Sequence, residues 1–217
     1  MKIIYEDDSI IVCHKEASEA TQTKAIGQQD LVSKLSNYRA KKGEKPEVFV
    51  IHRLDQPVEG VMVFAKDSKS AAALSKQVSD HTFKKKYYAI ITSDSLEPEG
   101  ELRDYLIKDA KTNLASVVSK DRPGAKSAGL SYKIIDSWDD KKLLDIELYT
   151  GRHHQIRVQL ASRKAPILGD VKYGGIDTKK PLCLCSYYIG FEHPKTKKMV
   201  EYNIKPIGEG FYGGNIL

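Results

Sequence analysis

Apolar residues along the chain occur in short alternating or continuous runs, which predict many strands and few helices. Near the N-terminus, residues 3–5 and 9–14 are β-rich and are separated by three acidic residues, so we expect a hairpin or a pair of edge strands. Residues 48–51 and 61–65 are apolar enough to be buried strands. Further β-rich segments are residues 84–92, 101–107, 114–119, 129–137, 143–149, 182–191 and 199–204.

Apolar residues at helical spacing predict three helices. They cover residues 28–41, residues 67–80, where Asp67 or Ser68 can cap the N-terminus, and residues 153–163. The β elements outnumber these helices and do not alternate with them. The sequence therefore predicts an α+β fold with a mixed, mainly antiparallel central sheet and flanking helices.

The third predicted helix carries two stripes of interest. Ile156 and Leu160 stand four residues apart, and His153 and Arg157 have the same spacing on a neighbouring stripe. This pattern puts Arg157 at the edge of the buried face, where its guanidinium can reach a carboxylate. Adjacent histidines on a helix point apart, so a zinc site at His153 and His154 is disfavoured, and we expect no metal.

Composition and charge narrow the class of protein. The chain has 217 residues, 41% of them hydrophobic and 29% charged, which excludes a disordered tail, a fibre and an integral membrane protein. No linker or repeat divides it, so we expect residues 1–217 to form a single domain. Its 3 cysteines are too few for a disulfide framework and favour the cytoplasm. The net charge of +6 is compatible with a nucleic-acid partner.

A polar loop between two apolar strands is the first candidate for chemistry. It contains His52, Arg53 and Asp55, and Gly60 would let the chain turn sharply away. Arg53 and Asp55 can form a structural ion pair. Alternatively, Asp55 is a single nucleophilic or basic carboxylate on a rigid loop. Glu59 is too near in the loop to act as the opposed carboxylate of a glycosidase.

Two further clusters combine hydrogen-bond donors with other side chains. Residues 148–160 are rich in donors at a strand-to-helix junction, which is typical of an anion site but also of a solvated helix face. Residues 83–89 bring three lysines next to two tyrosines. Aromatic residues in a strand are usually core residues, but basic and aromatic groups together also bind unstacked RNA bases.

Taken together, these clusters resemble the RluA-type pseudouridine synthases over nearly the whole chain. His52-Arg53-Leu54-Asp55 with Gly60 is similar to the family motif H-R-L-D-x-x-T-S-G, in which the aspartate is catalytic. Later matches, in the family's order, are residues 85–89 (K-x-Y-x-A), residues 150–157 (T-G-R-x-H-Q-I-R), residues 166–170, Tyr173-Gly174 and His193-Pro194.

The chain departs from the family pattern at a few positions. Val58 and Glu59 replace Thr-Ser, Gln159 replaces a histidine, and Cys185-Ser186 replaces His-Ala. Family members that have an additional S4-type RNA-binding domain carry it before the H-R-L-D motif. Only 51 residues precede His52, and predicted strands and a helix occupy them, so we expect that domain to be absent.

The resemblance implies a pseudouridine synthase fold and conversion of uridine in ribosomal or transfer RNA to pseudouridine. This reaction is an isomerisation and needs no cofactor. Asp55 would attack C1′, attack the base or remove the C2′ proton, and these alternatives stay open. Arg157 would pair with Asp55 and keep it ionised. Tyr87 would stack on the uracil and handle the proton at C5.

Arg53 would fill the space that the flipped nucleotide leaves. The residues that the resemblance and the local charge assign to RNA binding are His52, Arg53, Arg152, His154, Gln155, Lys84, Lys85 and Lys86. We expect a monomer with RNA as its partner and no membrane association. Two rival functions remain, a catalytically weakened RNA-binding domain and a nucleosidase that releases free uracil.

Overall fold

The computed structural model describes residues 1–23, 29–176 and 181–212 and divides into two compact units. Unit 1 comprises Met1–Lys84 and Ser186–Pro206, and unit 2 comprises Lys85–Cys185 and Ile207–Leu217. The described residues form eleven strands and three α-helices. Among them, no helix is both long enough and apolar enough to cross a membrane.

Unit 1 combines antiparallel strand pairs with two helices. Its elements are β1 (Lys2–Glu6), β2 (Ile10–Lys15), α1 (Leu31–Lys41), β3 (Phe49–Val50), β4 (Glu59–Ala65), α2 (Ser68–Ser79), most of β10 (Leu184–Glu192) and β11 (Met199–Asn203). The strand order is β1-β2-β4-β10-β11, with β3 also paired to β4. The pairs β1–β2, β2–β4, β3–β4 and β10–β11 are antiparallel.

The core of unit 1 follows from the apolar strands. Ile10, Val61, Leu74 and Phe191 are buried in one cluster, which joins β2, β4, α2 and β10. Helix α2 begins where the sequence predicts, because the Asp67 side chain accepts a hydrogen bond from the backbone N–H of Ser70 at 2.8 Å.

Unit 2 contains antiparallel strands that are covered on one face by a helix. Its elements are most of β5 (Lys84–Ile91), β6 (Glu99–Lys108), β7 (Ala115–Val118), β8 (Lys126–Trp138), β9 (Lys141–Leu148) and α3 (Gln155–Ala161). The strand order is β5-β9-β8-β6-β7, and each of these pairs is antiparallel. Val158 of α3 packs against Leu106, Ala115 and Ala128 of the sheet.

The predicted α+β class and the mainly antiparallel sheet are confirmed, and all the predicted strands are present with bounds shifted by a few residues. In the first helix, Leu31 is the first helical residue, and residue 28 lies outside the described residues. The prediction of a single domain stays a prediction.

The bounds of the third helix were wrong. It begins at Gln155 and ends at Ala161, because His154 has left-handed backbone angles (φ 52°, ψ 25°) that no helix can continue through. His153 is therefore outside the helix and does not share a helical stripe with Arg157.

Candidate functional site

Asp55 begins a tight turn in unit 1. The backbone N–H of Val58 donates to the Asp55 carbonyl at 3.0 Å, and the side chains of Leu54 and Val58 are both buried. The Thr21 hydroxyl donates to the Leu54 carbonyl at 3.1 Å. The half-buried Asp55 is thus presented on a turn that is anchored on both sides.

Lys15, at the end of β2, binds the backbone of this turn through hydrogen bonds. Its side chain is fully buried, and its ammonium group donates to the carbonyls of Val58 (2.7 Å), Gln56 (3.1 Å) and Glu16 (3.1 Å). The sequence analysis missed Lys15. The signal in the sequence was a single lysine at the end of a β-rich run that forms the buried strand Ile10–Lys15. A lysine that is buried there needs several hydrogen-bond acceptors, which would have pointed to a structural role.

The charge state of Lys15 is set by its surroundings. Burial lowers the pKa of its ammonium group to about 8, and the negative charges of Glu19, Asp55 and Glu59 oppose this shift. Glu59 is itself buried beside the turn. Glu59 stands where the family pattern has a serine, so the chain carries a carboxylate at this position. Its negative charge favours the protonated form of Lys15.

Gly60 has a different role from the predicted sharp turn. It lies within β4, where an added Cβ would be 2.5 Å from the Ser186 Cβ and 2.9 Å from Leu54 Cδ1. Only glycine permits this close approach of β4 and β10. The same approach fixes Leu54, which directly precedes Asp55.

His52 and Arg53 point to different environments. His52 is buried, its Nε2 accepts from the Val63 N–H at 3.3 Å, and its ring lies 5.4 Å from that of Phe83. Arg53 is exposed, and it makes no ion pair with any residue that the structure describes. The structural Arg53–Asp55 pair considered from the sequence is therefore not formed.

Successive side chains of strand β5 point to opposite faces of the sheet, so the predicted basic residues at 84–86 do not all lie on one face. Lys85 and Tyr87 share one face and are both buried, and burial lowers the pKa of Lys85. Lys86 points to the opposite face, and Lys84 is exposed. On that face Lys86 lines an open groove of about 390 Å³ whose other charged residues are Glu99, Glu101, Lys133, Asp145 and Glu147.

The turn before α3, Thr150-Gly151-Arg152, which we call the T-G-R turn, is stabilised by the side chain of Gln155. The Gln155 Oε1 accepts from the Thr150 hydroxyl (2.7 Å) and from the Arg152 N–H (3.0 Å), and the Gln155 Nε2 donates to the Gly129 carbonyl (3.0 Å). An added Cβ at Gly151 would lie 3.2 Å from the Lys85 ammonium. The structure thus brings the second and third sequence clusters together at this turn.

The two histidines also behave differently from the prediction. Their rings stack with centroids 3.8 Å apart, because the left-handed backbone of His154 brings the two side chains onto one side. His153 Nε2 donates to the Asn113 carbonyl at 3.0 Å. His154 is buried, and its Nδ1 shares a hydrogen bond of 2.8 Å with the Tyr173 hydroxyl.

Arg157 forms a buried ion pair within unit 2. Its Nε and Nη2 each lie 2.7 Å from one carboxylate oxygen of Asp170, which is the two-point geometry that only arginine provides. The guanidinium also lies 5.1 Å from the centre of the Tyr173 ring. Sequence reasoning missed Asp170 as this partner, although residues 166–170 matched a family landmark. The predicted pairing of Arg157 with Asp55 stays a prediction.

Gln159 occupies a family histidine position and is fully buried. Its Nε2 donates to the Asp104 carboxylate at 2.7 Å and to the Leu102 carbonyl at 3.3 Å. Asp104 also binds Arg163, at 2.6 Å. This departure therefore fixes α3 on β6.

Residues 9–162 match the protein family described as RNA pseudouridylate synthase. The chain belongs to this family. The match contains Asp55, Tyr87 and Arg157, while Asp170 and Tyr173 lie beyond its end.

Three curated relatives in the family show how similar the chain is to known proteins. YhcT of Bacillus subtilis, named an uncharacterized RNA pseudouridine synthase, is 34% identical over 178 residues, covering 81% of this chain and 58% of that protein. Ribosomal large subunit pseudouridine synthase D of Borreliella burgdorferi is 31% identical (85% and 59% covered). tRNA pseudouridine synthase C of Haemophilus ducreyi is 30% identical (92% and 88%). The chain spans about three fifths of the length of the first two.

Two solved human structures have the same fold. RNA pseudouridylate synthase domain containing 4 gives a TM-score of 0.77 at 22% identity, over 94% of this chain and 88% of that chain. RNA pseudouridylate synthase domain containing 1 gives 0.76 at 17% identity, over 94% and 83%. These similarities establish the pseudouridine synthase fold.

Proposed function

We propose that this member of the pseudouridine synthase family converts uridine in ribosomal or transfer RNA to pseudouridine. The observation that carries this proposal is the Asp55 turn, a half-buried carboxylate on a backbone whose carbonyls are held by the buried Lys15. Relatives named as synthases for ribosomal RNA and for tRNA support the two substrate classes.

The proposed reaction is an isomerisation that needs no cofactor. The N1–C1′ bond breaks, the uracil turns while it is still bound, and a C5–C1′ bond forms. The hydrogen on C5 leaves as a proton, and N1 gains one, so atoms and electrons balance. Asp55 acts by attack at C1′, by attack on the base or by removal of the C2′ proton, all of which need an ionised carboxylate in a fixed position.

In this proposal Tyr87 and Arg157 complete the catalytic group. Tyr87 stacks on the uracil and handles the proton at C5, supported by its place on β5 beside Lys85. Arg157 keeps Asp55 ionised and aimed. Its fork is occupied at Nε and Nη2 by Asp170, so the pairing with Asp55 has to use the remaining donors of the guanidinium.

The remaining predicted RNA-binding residues divide by exposure. Arg53, Lys84 and Arg152 are exposed and can contact RNA, and in this proposal Arg53 fills the space that the flipped nucleotide leaves. In contrast, His52, His154 and Gln155 are buried and hydrogen-bonded internally, which supports a role in shaping the motifs. Lys85 and Lys86 supply positive charge from opposite faces of β5.

We also propose that residues 1–217 act as a single catalytic domain, as a monomer and in the cytoplasm. The chain has only 3 cysteines, Cys13, Cys183 and Cys185, and all are buried. A cysteine content this low is in keeping with a reducing compartment. Size-exclusion chromatography with light scattering tests the monomer, and cell fractionation tests the compartment.

The reaction itself is tested by tritium release from RNA labelled at C5 of uridine. We expect wild-type protein to release tritium and to leave pseudouridine in the digested RNA, at positions that lack it in a gene-deletion strain. Free uracil in the supernatant would identify the rival nucleosidase. RNA binding with no tritium release would identify a non-catalytic RNA-binding domain.

A further inference from the structure

Four basic side chains of unit 2 lie close together without carboxylate partners. Elsewhere, many surface cations form ion pairs, including Lys34, Lys42, Lys76, Arg103, Lys133, Lys142, Arg163, Lys195 and Lys197. Lys108, Lys111, Lys126 and Arg152 are exposed and form no ion pair with any residue in the described part of the chain. We call these four residues the basic edge.

Strand register places two of the four on one face of the sheet. Lys108 is opposite Ala115, and Lys126 is opposite Leu106. Opposite residues in antiparallel strands share a face, so both lysines project on the face where Leu106 and Ala115 contact Val158 of α3. The two lysines form a diagonal pair across neighbouring strands, which sets the residues about 7–8 Å apart and their Cβ atoms somewhat closer.

The direction of α3 shows which end of the helix the lysines surround. Val158 contacts Leu106, and the later residue Gln159 bonds to Leu102 and Asp104. The helix therefore runs towards the start of β6. Its N-terminal end, with the T-G-R turn, faces the end of β6 that carries Lys108.

Hydrogen bonds place Arg152, and the loop that contains Lys111, in the same region. The Arg152 Nε donates to the Ser127 carbonyl at 2.9 Å, next to Lys126. His153 bonds to the Asn113 carbonyl in the β6–β7 loop that contains Lys111. The same loop holds one carboxylate, Asp109, whose pKa is lowered by the backbone N–H groups of Lys111 and Thr112. With Asp109 included, the region keeps a clear positive surplus.

We propose that the basic edge binds the sugar-phosphate backbone of the RNA strand that flanks the target uridine. This inference rests on the proposed function and extends it to Lys108, Lys111 and Lys126, which no motif contains. Phosphates can bind here without breaking an ion pair, because the cations have none to lose. Each neutralised phosphate releases counterions, so this surface contributes to affinity in a salt-dependent way.

The test compares two triple variants of equal charge change. One is Lys108→Gln/Lys111→Gln/Lys126→Gln. The control is Lys76→Gln/Lys195→Gln/Lys197→Gln, which removes three exposed lysines that are already paired with carboxylates. Affinity for a fluorescein-labelled 20-nucleotide oligouridine RNA is measured by anisotropy between about 50 and 200 mM KCl.

The basic-edge variant is expected to bind at least tenfold more weakly than the control at about 100 mM salt, with a log-log salt slope flatter by about 2. Equal affinity and equal slope for the two variants would overturn the proposal. Equally tight binding of a labelled polyglutamate peptide of the same length would also overturn it, because the surface would then favour an acidic protein.

Tritium release separates this inference from the proposed function. At subsaturating RNA, the basic-edge variant should release tritium at least tenfold more slowly than the control variant, because weaker binding lowers the fraction of protein that carries RNA. If wild-type protein releases no tritium but the two variants differ in RNA binding, the proposed activity is refuted and RNA binding by the basic edge is supported. If wild-type protein is active and the two variants bind RNA equally, RNA binding by the basic edge is refuted and the proposed activity is supported.

Discussion

The Asp55 turn of unit 1 and helix α3 of unit 2 are each held by a buried cation, but the two cations have different partners. Lys15 donates to neutral backbone carbonyls and lies in a buried position that lowers its pKa to about 8. Arg157 is paired through two hydrogen bonds with Asp170. An arginine keeps its proton in any protein environment, whereas a buried lysine can lose it. The Asp55 turn is therefore the part whose support depends on pH.

Removal of the Asp170 charge should give the largest loss of stability. Asp170→Asn leaves the buried Arg157 guanidinium without its counter-ion, and we expect the free energy of unfolding to fall by about 3–5 kcal/mol. Urea denaturation measures the change. The matched control is Asp80→Asn, which breaks the exposed Lys76–Asp80 pair and should cost only about 0–1 kcal/mol. Similar values for the two variants would show that Arg157 does not depend on Asp170.

The corresponding change in unit 1 should act on the rate. Lys15→Met removes the donors that hold the Val58 and Gln56 carbonyls, so Asp55 loses its fixed position and kcat should fall about 100-fold. The KM for RNA should change little. The control is Lys195→Met, which removes a lysine of the same unit that pairs with Asp8 at the surface. An unchanged kcat for Lys15→Met would remove Lys15 as a positioning residue.

Gly60 supports the same turn through packing alone. Gly60→Ala would place a methyl group 2.5 Å from the Ser186 Cβ, and we expect a loss of about 1–3 kcal/mol in the free energy of unfolding. Adding Ser186→Gly removes one of the clashing atoms and should restore part of the loss. A single Gly60→Ala variant as stable as wild type would show that β4 and β10 can separate without cost.

The pH dependence of activity gives the finest comparison between the two regions. Lys15 has a pKa of about 8 in the folded chain and 10.5 as its ordinary value, so the unfolded chain binds more protons between these two pH values. The contribution of Lys15 to the free energy of unfolding therefore rises with pH in this window. Activity should nevertheless fall above about pH 8, because the neutral amine has one N–H fewer for the three carbonyls.

The conservative variant Lys15→Arg keeps the charge at high pH. Any activity that it retains should therefore lack the fall above about pH 8, since arginine stays protonated. Parallel thermal unfolding curves separate a change of charge state from unfolding. The same fall in wild type and in Lys15→Arg would assign the titration to another group.

Local features of the sequence predicted most elements of the fold. Asp67 caps α2 as predicted, because the interaction involves only the neighbouring Ser70. The start of α3 was missed because the left-handed backbone of His154 leaves no distinct pattern in the sequence. A histidine at that position fits a helix equally well by spacing.

Long-range contacts account for what the sequence could not predict at the site. The motifs indicated Asp55 and Arg157, but Lys15 lies about 40 residues from the carbonyls of Gln56 and Val58 that it binds. Gly60 was predicted to permit a turn, but glycine is required there because Ser186, a residue of a distant strand, comes too close for a Cβ atom. Neither relation follows from local periodicity, because each depends on which strands become neighbours.

The most direct test of the central claim, that the Asp55 carboxylate carries out the isomerisation, is a single-turnover assay of Asp55→Asn on RNA labelled with tritium at C5 of uridine. Asparagine keeps the shape of the side chain and removes its charge. The account predicts RNA binding close to wild type and no detectable tritium release. Tritium release by Asp55→Asn at a rate near that of wild type would contradict it.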